Sequence, residues 1–218
     1  MQRRRSALTV STAAALLAAA PLLTACGSDA RPGAAAVVDG DRITMAQLQS
    51  RVGAVRDAQQ ERPEGEAMIQ RTGSLTRATL DGMIRHRIVE RAAEDAGVTV
   101  SRQEVQRARD GFERQTGGSK GFEEALLRQQ GVAPSDADAW VWMQVAVQKI
   151  ARASGVNPGT PQGNQALTET FSRISEEMDI DVNPRYGEWS TERASLAPEE
   201  VPWLNDVSGK QAQREQHA

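Results

Sequence analysis

The sequence predicts a mainly α-helical domain closed by a short two-stranded β pairing of its N- and C-terminal segments. Apolar residues recur at helical spacing in several segments, and Gly or Pro separates these segments. Two segments lack the helical period: 34–39 is a short apolar run, and 179–184 alternates polar and apolar residues. A lone strand leaves backbone hydrogen bonds unsatisfied. We therefore expect residues 35–38 to pair with 179–183.

The first 25 residues have the layout of a cleavable signal peptide. Three consecutive arginines at 3–5 precede an uncharged run over 6–25, whose apolar part is rich in Ala and interrupted by Pro21. A transmembrane helix usually needs about 20 strongly apolar residues. The run is therefore predicted to be a signal peptide over residues 1–25 rather than a membrane span.

Directly after this run, the segment Leu23-Thr24-Ala25-Cys26 resembles the lipobox of bacterial lipoproteins. The resemblance implies that the chain is cut before Cys26 and that the Cys26 sulfur carries a diacyl group. Two acyl chains anchor a protein stably, whereas one holds it only marginally. Residues 26–33 would then be the lipidated Cys and a tether. The alternative is a Cys that falls by chance at the end of an Ala-rich leader.

Capping signals mark the predicted helix starts. Thr44 with Gln47, and Ser101 with Glu104, have the spacing of capping boxes. The predicted helices cover about residues 44–62, 74–96, 101–116, 121–130, 135–154 and 164–178, and a polar helical stretch is predicted to resume at Glu66. Residues 34–189 are predicted to be the folded domain, and the polar segment 190–218 a largely disordered tail.

Apolar stripes on these helices predict the faces that form the core. The clearest stripes are Leu80, Ile84, Ile88 and Ala92; Trp140, Met143, Val147 and Ile150; and Leu167, Phe171, Ile174 and Met178. Trp142 lies about 200° around its helix from Trp140. The two indole rings must therefore meet different neighbours.

The composition excludes several kinds of site. The chain has one Cys and two His that are far apart, which excludes an internal disulfide, a thiolate zinc cage and a His-rich metal site. The net charge of -3 becomes -6 without residues 1–25, so no basic surface for nucleic acid is expected. The acidic cluster at 176–181 lacks calcium-ligand spacing, and the Gly-rich segment 117–121 lacks phosphate-loop spacing. We predict no enzyme activity, no metal and no cofactor.

The segment Ala36-Val37-Val38-Asp39-Gly40-Asp41-Arg42-Ile43-Thr44 resembles the opening of the N-terminal domain of SurA/PrsA-type extracytoplasmic folding factors. Later parts of the chain match as well: Ile84 to Thr99, the residues Phe122, Leu126 and Gly131, and Asp181 to Gly187. The resemblance covers about residues 34–189 and implies a SurA N-like fold that holds unfolded clients by their apolar segments. Family members commonly insert a parvulin-type isomerase domain where this chain has only residues 155–163, a segment too short to fold by itself.

The expected function is therefore that of a membrane-tethered extracytoplasmic chaperone that binds unfolded or secreted polypeptides without prolyl isomerase activity. The alternative is an assembly lipoprotein that binds one specific envelope partner. Trp142 and Met68 are candidate client-binding residues, because chaperone surfaces need exposed apolar area. For both residues the alternative is packing in the core, and the same two interpretations apply to Trp189 and Trp203. His86, between two arginines, is predicted to be a solvated helix residue.

Overall fold

The computed structural model describes residues 33–197, so Cys26 and the segment 198–218 lie outside the described residues. The elements in chain order are β1 Ala34–Val38, β2 Asp41–Thr44, α1 Met45–Gln60, α2 Gly65–Arg71, α3 Leu75–Asp95, α4 Arg102–Thr116, α5 Ser119–Ala125, a π-helical turn Leu126–Gln130, a 3-10 turn Pro134–Asp136, α6 Ala137–Ala153, α7 Pro161–Glu177, β3 Ile180–Val182, a 3-10 turn Pro184–Tyr186, β4 Glu188–Ser190 and β5 Ser195–Ala197. The described chain is mainly α-helical, as predicted.

A three-stranded antiparallel sheet, in the order β2-β1-β3, joins the beginning of the domain to a segment near its end. β1 pairs with β3, with Val37 opposite Asp181, which confirms the predicted pairing of the two segments. The predicted two-stranded arrangement is incomplete, because Asp41–Thr44 forms a third strand on the other edge of β1. Asp39 and Gly40 adopt positive φ angles of 52° and 84°. A two-residue type I′ hairpin turn requires this conformation at both positions.

Helix α3 contributes a large part of the main hydrophobic core, which also contains β1 and one face of each of α1, α6 and α7. All five residues of β1 are buried, and this explains why the strand is apolar without alternation. The predicted stripe on α3 is confirmed, since Leu80, Ile84, Ile88 and Ala92 are at most 2% exposed. The helical period of the sequence therefore selects the faces that meet in the core.

The folded domain extends beyond the predicted boundary at residue 189, so the predicted disordered tail begins too early. β4 and β5 form a second antiparallel hairpin, with Trp189 opposite Leu196. Leu196 is 8% exposed, and its backbone N–H donates to Asp81 Oδ1 of α3 at 2.6 Å. The Trp189 indole N–H donates to Ser175 Oγ of α7 at 3.2 Å. The hydrogen bond to Asp81, 115 positions earlier in the sequence, therefore helps to order the first part of the predicted tail.

Both predicted capping boxes are present. At the start of α1, Thr44 Oγ1 accepts from the Gln47 N–H at 3.1 Å, and Gln47 Oε1 accepts from the Thr44 N–H at 2.8 Å. Ser101 and Glu104 make the same reciprocal pair at the start of α4. These contacts satisfy backbone donors that the first helical turn leaves without partners.

The carboxylate of Glu104 also links α4 to α6, because Lys149 Nζ donates to Glu104 Oε1 at 2.7 Å. The Lys149 hydrogen bond, followed by those from Ser101, lowers the pKa of Glu104 from 4.5 to about 2. A carboxylate whose pKa is lower in the folded state contributes stability above its unfolded-state pKa and loses it as the pH falls. We therefore expect Glu104→Gln to destabilise the chain at neutral pH, and this difference to vanish between pH 4.5 and about 2.

Urea denaturation at a series of pH values measures this effect. Glu66→Gln, on the exposed side of α2, is the matched control and should differ little from the parent chain at any pH. A Glu104→Gln difference that stays constant down to about pH 2 would show that this carboxylate does not contribute through its charge.

Candidate functional site

An apolar pocket of about 210 Å³ opens between α1, α3, α6 and the loop that precedes α6. Its lining residues are Arg51, Val55, Leu75, Ala78, Thr79, Gly82, His86, Gln130, Gly131, Val132, Ala133, Asp136, Ala139, Trp140 and Met143. Arg51 and Asp136 form an ion pair at its edge, with 4.0 Å between Nε and Oδ1. Pockets for small molecules usually measure about 300–1,000 Å³. This pocket therefore suits one large apolar side chain better than a cofactor.

Trp140 forms one wall of the apolar pocket and is held by an aromatic cluster. Its ring centroid lies 5.3 Å from that of Phe112 on α4 and 6.1 Å from that of Phe122 on α5. The two Phe rings stack on each other at 5.6 Å. Offset and edge-on contacts of this kind fix the orientation of aromatic rings. Trp140 is therefore a well-supported wall of the pocket.

Gly131 shapes the opposite side of the apolar pocket. It ends the π-helical turn in the left-handed conformation, with φ 62°, which glycine adopts without the strain of a side chain. The turn is closed by the Val132 N–H, which donates to the Leu126 carbonyl at 3.3 Å. The chain direction set by this glycine brings Val132 and Ala133 to the pocket lining.

The apolar pocket continues along α3, because one open depression shares residues with the pocket and a second depression shares residues with the first. Arg51 and His86 line the pocket and the first depression, and Arg87 and Glu90 line both depressions. We call the whole surface the α3 groove; beyond the pocket its lining residues are Val38, Asp39, Asp41, Arg42, Ile43, Ala46, Gln47, Ser50, Met83, Arg87, Glu90, Arg91, Ala93, Glu94, Val98, Thr99, Val100, Trp142 and Met178. From Leu75 to Glu94, α3 rises about 28 Å. This length matches about eight residues of extended chain.

His86 lies where the apolar pocket meets the rest of the α3 groove. Its ring centroid is 4.8 Å from that of Trp142, and its Nε2 is 3.4 Å from Glu90 Oε1. The hydrogen bond from His86, and then the charges of His86 and Arg87, hold the pKa of Glu90 below its ordinary value, while burial acts in the opposite direction. The middle of the groove is therefore polar and charged, whereas its pocket end is apolar.

The two predicted client-binding residues have different surroundings. Trp142 is half-buried, packs against the main core and lines the α3 groove, so its role in client binding stays a prediction. Met68 is 7% exposed and belongs to a second core cluster with Val55 and Leu127. This burial favours the alternative in which Met68 packs in the core. Its side chain also lines a small depression with Gln59 and Arg128, and its role in client binding stays a prediction. Cys26 lies outside the described residues, and its lipidation stays a prediction.

Sequence reasoning missed the apolar pocket and the position of His86, whose side chain is only 28% exposed. The missed signal is a second stripe on α3, in which Leu75, Thr79, Gly82 and His86 follow one another at spacings of 4, 3 and 4 residues. Such residues share one helix face. The small residue Gly82 in this stripe leaves room for a concave surface.

Two structural findings concern residues 33–197. No group of three or more His, Cys, Asp or Glu side chains in this range could hold a metal ion. None of the helices within the same range combines the length and the hydropathy needed to cross a bilayer.

A family model described as the SurA-like N-terminal domain matches residues 1–151. The chain belongs to this family. The matched range contains every residue that lines the apolar pocket. Helix α7 and strands β3 to β5 follow the matched range but complete the sheet and the core of the SurA-like domain. Searches among curated proteins and among solved structures found no match to the chain.

Membership of this family places the chain among chaperone-type folding factors. The SurA-like N-terminal domain is the chaperone part of such factors and not their catalytic part. Domains of this kind bind polypeptide clients in general and are typically extracytoplasmic. The resemblance identified from the sequence is thereby confirmed at the level of the family.

Proposed function

We propose that this protein is a lipid-anchored extracytoplasmic chaperone that holds extended polypeptide segments in the α3 groove and has no prolyl isomerase activity. The observation that carries the proposal is the apolar pocket between Val55, Trp140 and Met143, at one end of the α3 groove, which runs beside about 28 Å of α3. A client would insert one large apolar side chain into the pocket and lay its neighbouring residues along α3.

The charges of the α3 groove support binding of polypeptides with varied sequences. Basic residues such as Arg42 and Arg87 alternate with acidic residues such as Asp41 and Glu90 along its length. Such a surface offers hydrogen bonds to a client backbone and to polar side chains of either charge, without selecting one net charge. The apolar pocket provides affinity, since full burial of a Leu or Phe side chain is worth about 1.5–3 kcal/mol.

The proposed anchor is the diacylated Cys26, and residues 26–33 would connect it to β1. This short tether would keep the α3 groove close to the extracytoplasmic face of the cell membrane, where secreted chains emerge unfolded. Because the mature chain carries a net charge of -6, attraction to anionic lipid cannot replace the acyl chains.

An aggregation assay with a reduced client protein tests the proposal. We expect residues 27–218 to slow aggregation when present in several-fold molar excess, and we expect a proline-peptide isomerase assay on the same preparation to stay at the uncatalysed rate. No effect on aggregation would contradict the chaperone proposal, and capture of one stoichiometric partner would favour the assembly lipoprotein instead. Measurable isomerase turnover would contradict the inferred loss of the isomerase domain.

Ala78→Arg tests the apolar pocket directly. Ala78 lines the pocket and is exposed, so a longer side chain can lie across the opening without entering the core. We expect the Kd for an apolar peptide to rise about 10-fold or more, which corresponds to the loss of about 1.4 kcal/mol. Fluorescence anisotropy of a labelled peptide measures this change.

Ala153→Arg is the matched control, because Ala153 is an exposed helical alanine outside the α3 groove. The control should keep the Kd of the parent chain. Equal affinities of the parent chain, Ala78→Arg and Ala153→Arg would show that clients bind elsewhere.

A further inference from the structure

The segment that follows β5 contains an apolar cluster in polar surroundings. Val201, Trp203 and Leu204 follow Pro198-Glu199-Glu200 and precede a mostly polar stretch, 205–218, in which Val207 is the one large apolar residue. This segment lies outside the described residues. Neither the membrane anchor nor the core of the described domain accounts for a Trp and a Leu in such a polar segment.

The described chain ends in a strand that contacts α3, the helix that lines one side of the apolar pocket. The Leu196 N–H donates to Asp81 Oδ1 at 2.6 Å, and the residue after Asp81, Gly82, lines the pocket. The width of a helix with its side chains is about 10–12 Å, so β5 ends within roughly that distance of the pocket. Six peptide units from Ala197 to Trp203 span at most about 20 Å, which is enough to reach it.

The size and charge of the surface fit this segment. An apolar cavity of about 150 Å³ accepts benzene, and the apolar pocket, at about 210 Å³, has room for the larger indole ring. Arg85 lies on α3 between Asp81 and the pocket side of the helix, is 49% exposed, and pairs with Asp81 at 2.8 Å. Glu199 and Glu200 would pass this positive charge on the way to the pocket.

From these observations we infer that the protein carries its own ligand: the Trp203-Leu204 segment docks in the apolar pocket of the same chain. A short tether gives an attached segment an effective concentration in the millimolar range, so even weak docking keeps the pocket occupied. Clients would then have to displace the segment. This regulatory consequence rests on the proposed function, whereas the docking itself does not.

Amide NMR spectra of residues 27–218, recorded without any client, test the docking. We expect the double variant Trp203→Ser/Leu204→Ser to shift the signals of Thr79, Gly82 and Gly131, which line the apolar pocket. The control Val207→Ser removes an apolar residue from the same segment and should leave these three signals unchanged. Shifts confined to the neighbours of residues 203 and 204 in the sequence would overturn the inference.

Dilution separates docking within one chain from docking between two copies. The amide signals of the parent chain should not change over a tenfold dilution. If dilution shifts the signals of the pocket residues as the double variant does, the segment docks in a second copy, and docking in the same chain is overturned. In a separate measurement, we expect the double variant to bind an apolar peptide at least threefold more tightly than the parent chain. If the double variant shifts the signals of the pocket residues but binds the peptide with the affinity of the parent chain, the segment does not compete with clients. That result would leave the chaperone proposal intact.

Discussion

A Cys26→Ser chain is expected to carry no lipid and to retain residues 1–25. The resemblance to a lipobox implies that the Cys26 sulfur receives the diacyl group before the chain is cut, and serine offers no thiol for this reaction. We expect complete loss of incorporated labelled palmitate. We also expect the intact mass to rise by the mass of residues 1–25 less the mass of the diacyl group that the parent chain carries, as measured by mass spectrometry of the purified chain.

Ser28→Ala is the matched control, since residue 28 follows the lipobox and lies in the proposed tether. It should be cut, lipidated and recovered in the membrane fraction like the parent chain. If Cys26→Ser were processed and membrane-bound to the same extent, the anchor would have to lie elsewhere in the chain.

Gly163→Ala is expected to destabilise the fold, although alanine is the better helix former. Gly163 lies in the first turn of α7, where its N–H donates to Thr160 Oγ1 at 3.1 Å. A Cβ at this position would overlap the carbonyl oxygen of Asn157. The clash is with backbone and cannot be relieved by a rotamer change, so we expect the free energy of unfolding to fall by about 1–3 kcal/mol.

Gly53→Ala is the matched control. Gly53 is also inside a helix, but an added Cβ there meets no atom within 4 Å. This substitution should stabilise the chain by about 0.4–1 kcal/mol, because it reduces the freedom of the unfolded chain. Chemical denaturation of both variants measures the two effects, and a stabilised Gly163→Ala chain would contradict the close approach of Asn157.

Much of the fold could be predicted because its signals are local in the sequence. The stripe from Leu80 to Ala92 and the capping boxes at Thr44 and Ser101 depend on spacings of three or four residues, which one helix satisfies by itself. The pairing of β1 with β3 was also predictable, though not locally. It followed from the need of two lone strands to satisfy their backbone hydrogen bonds.

The parts that were missed depend on distant partners. Residues 190–197 are polar apart from Ala194, Leu196 and Ala197, and their order depends on contacts such as that of Leu196 with Asp81, 115 positions earlier. Met68 belongs to a short polar helix, so its sequence neighbours left core packing and client binding both open, and only the structure shows its contacts with Val55 and Leu127. The spacing of residues within one element does not report such contacts.

The sequence alone therefore determined the helical class, the helix faces that form the core and the resemblance to the family, and it predicts the leader with Cys26. These properties follow from periodicity, composition and short motifs. Only the tertiary structure revealed the apolar pocket, the α3 groove through His86 and Trp142, and the close approach at Gly163. A concave surface is formed by side chains from separate elements, and its shape depends on how α1, α3 and α6 pack together.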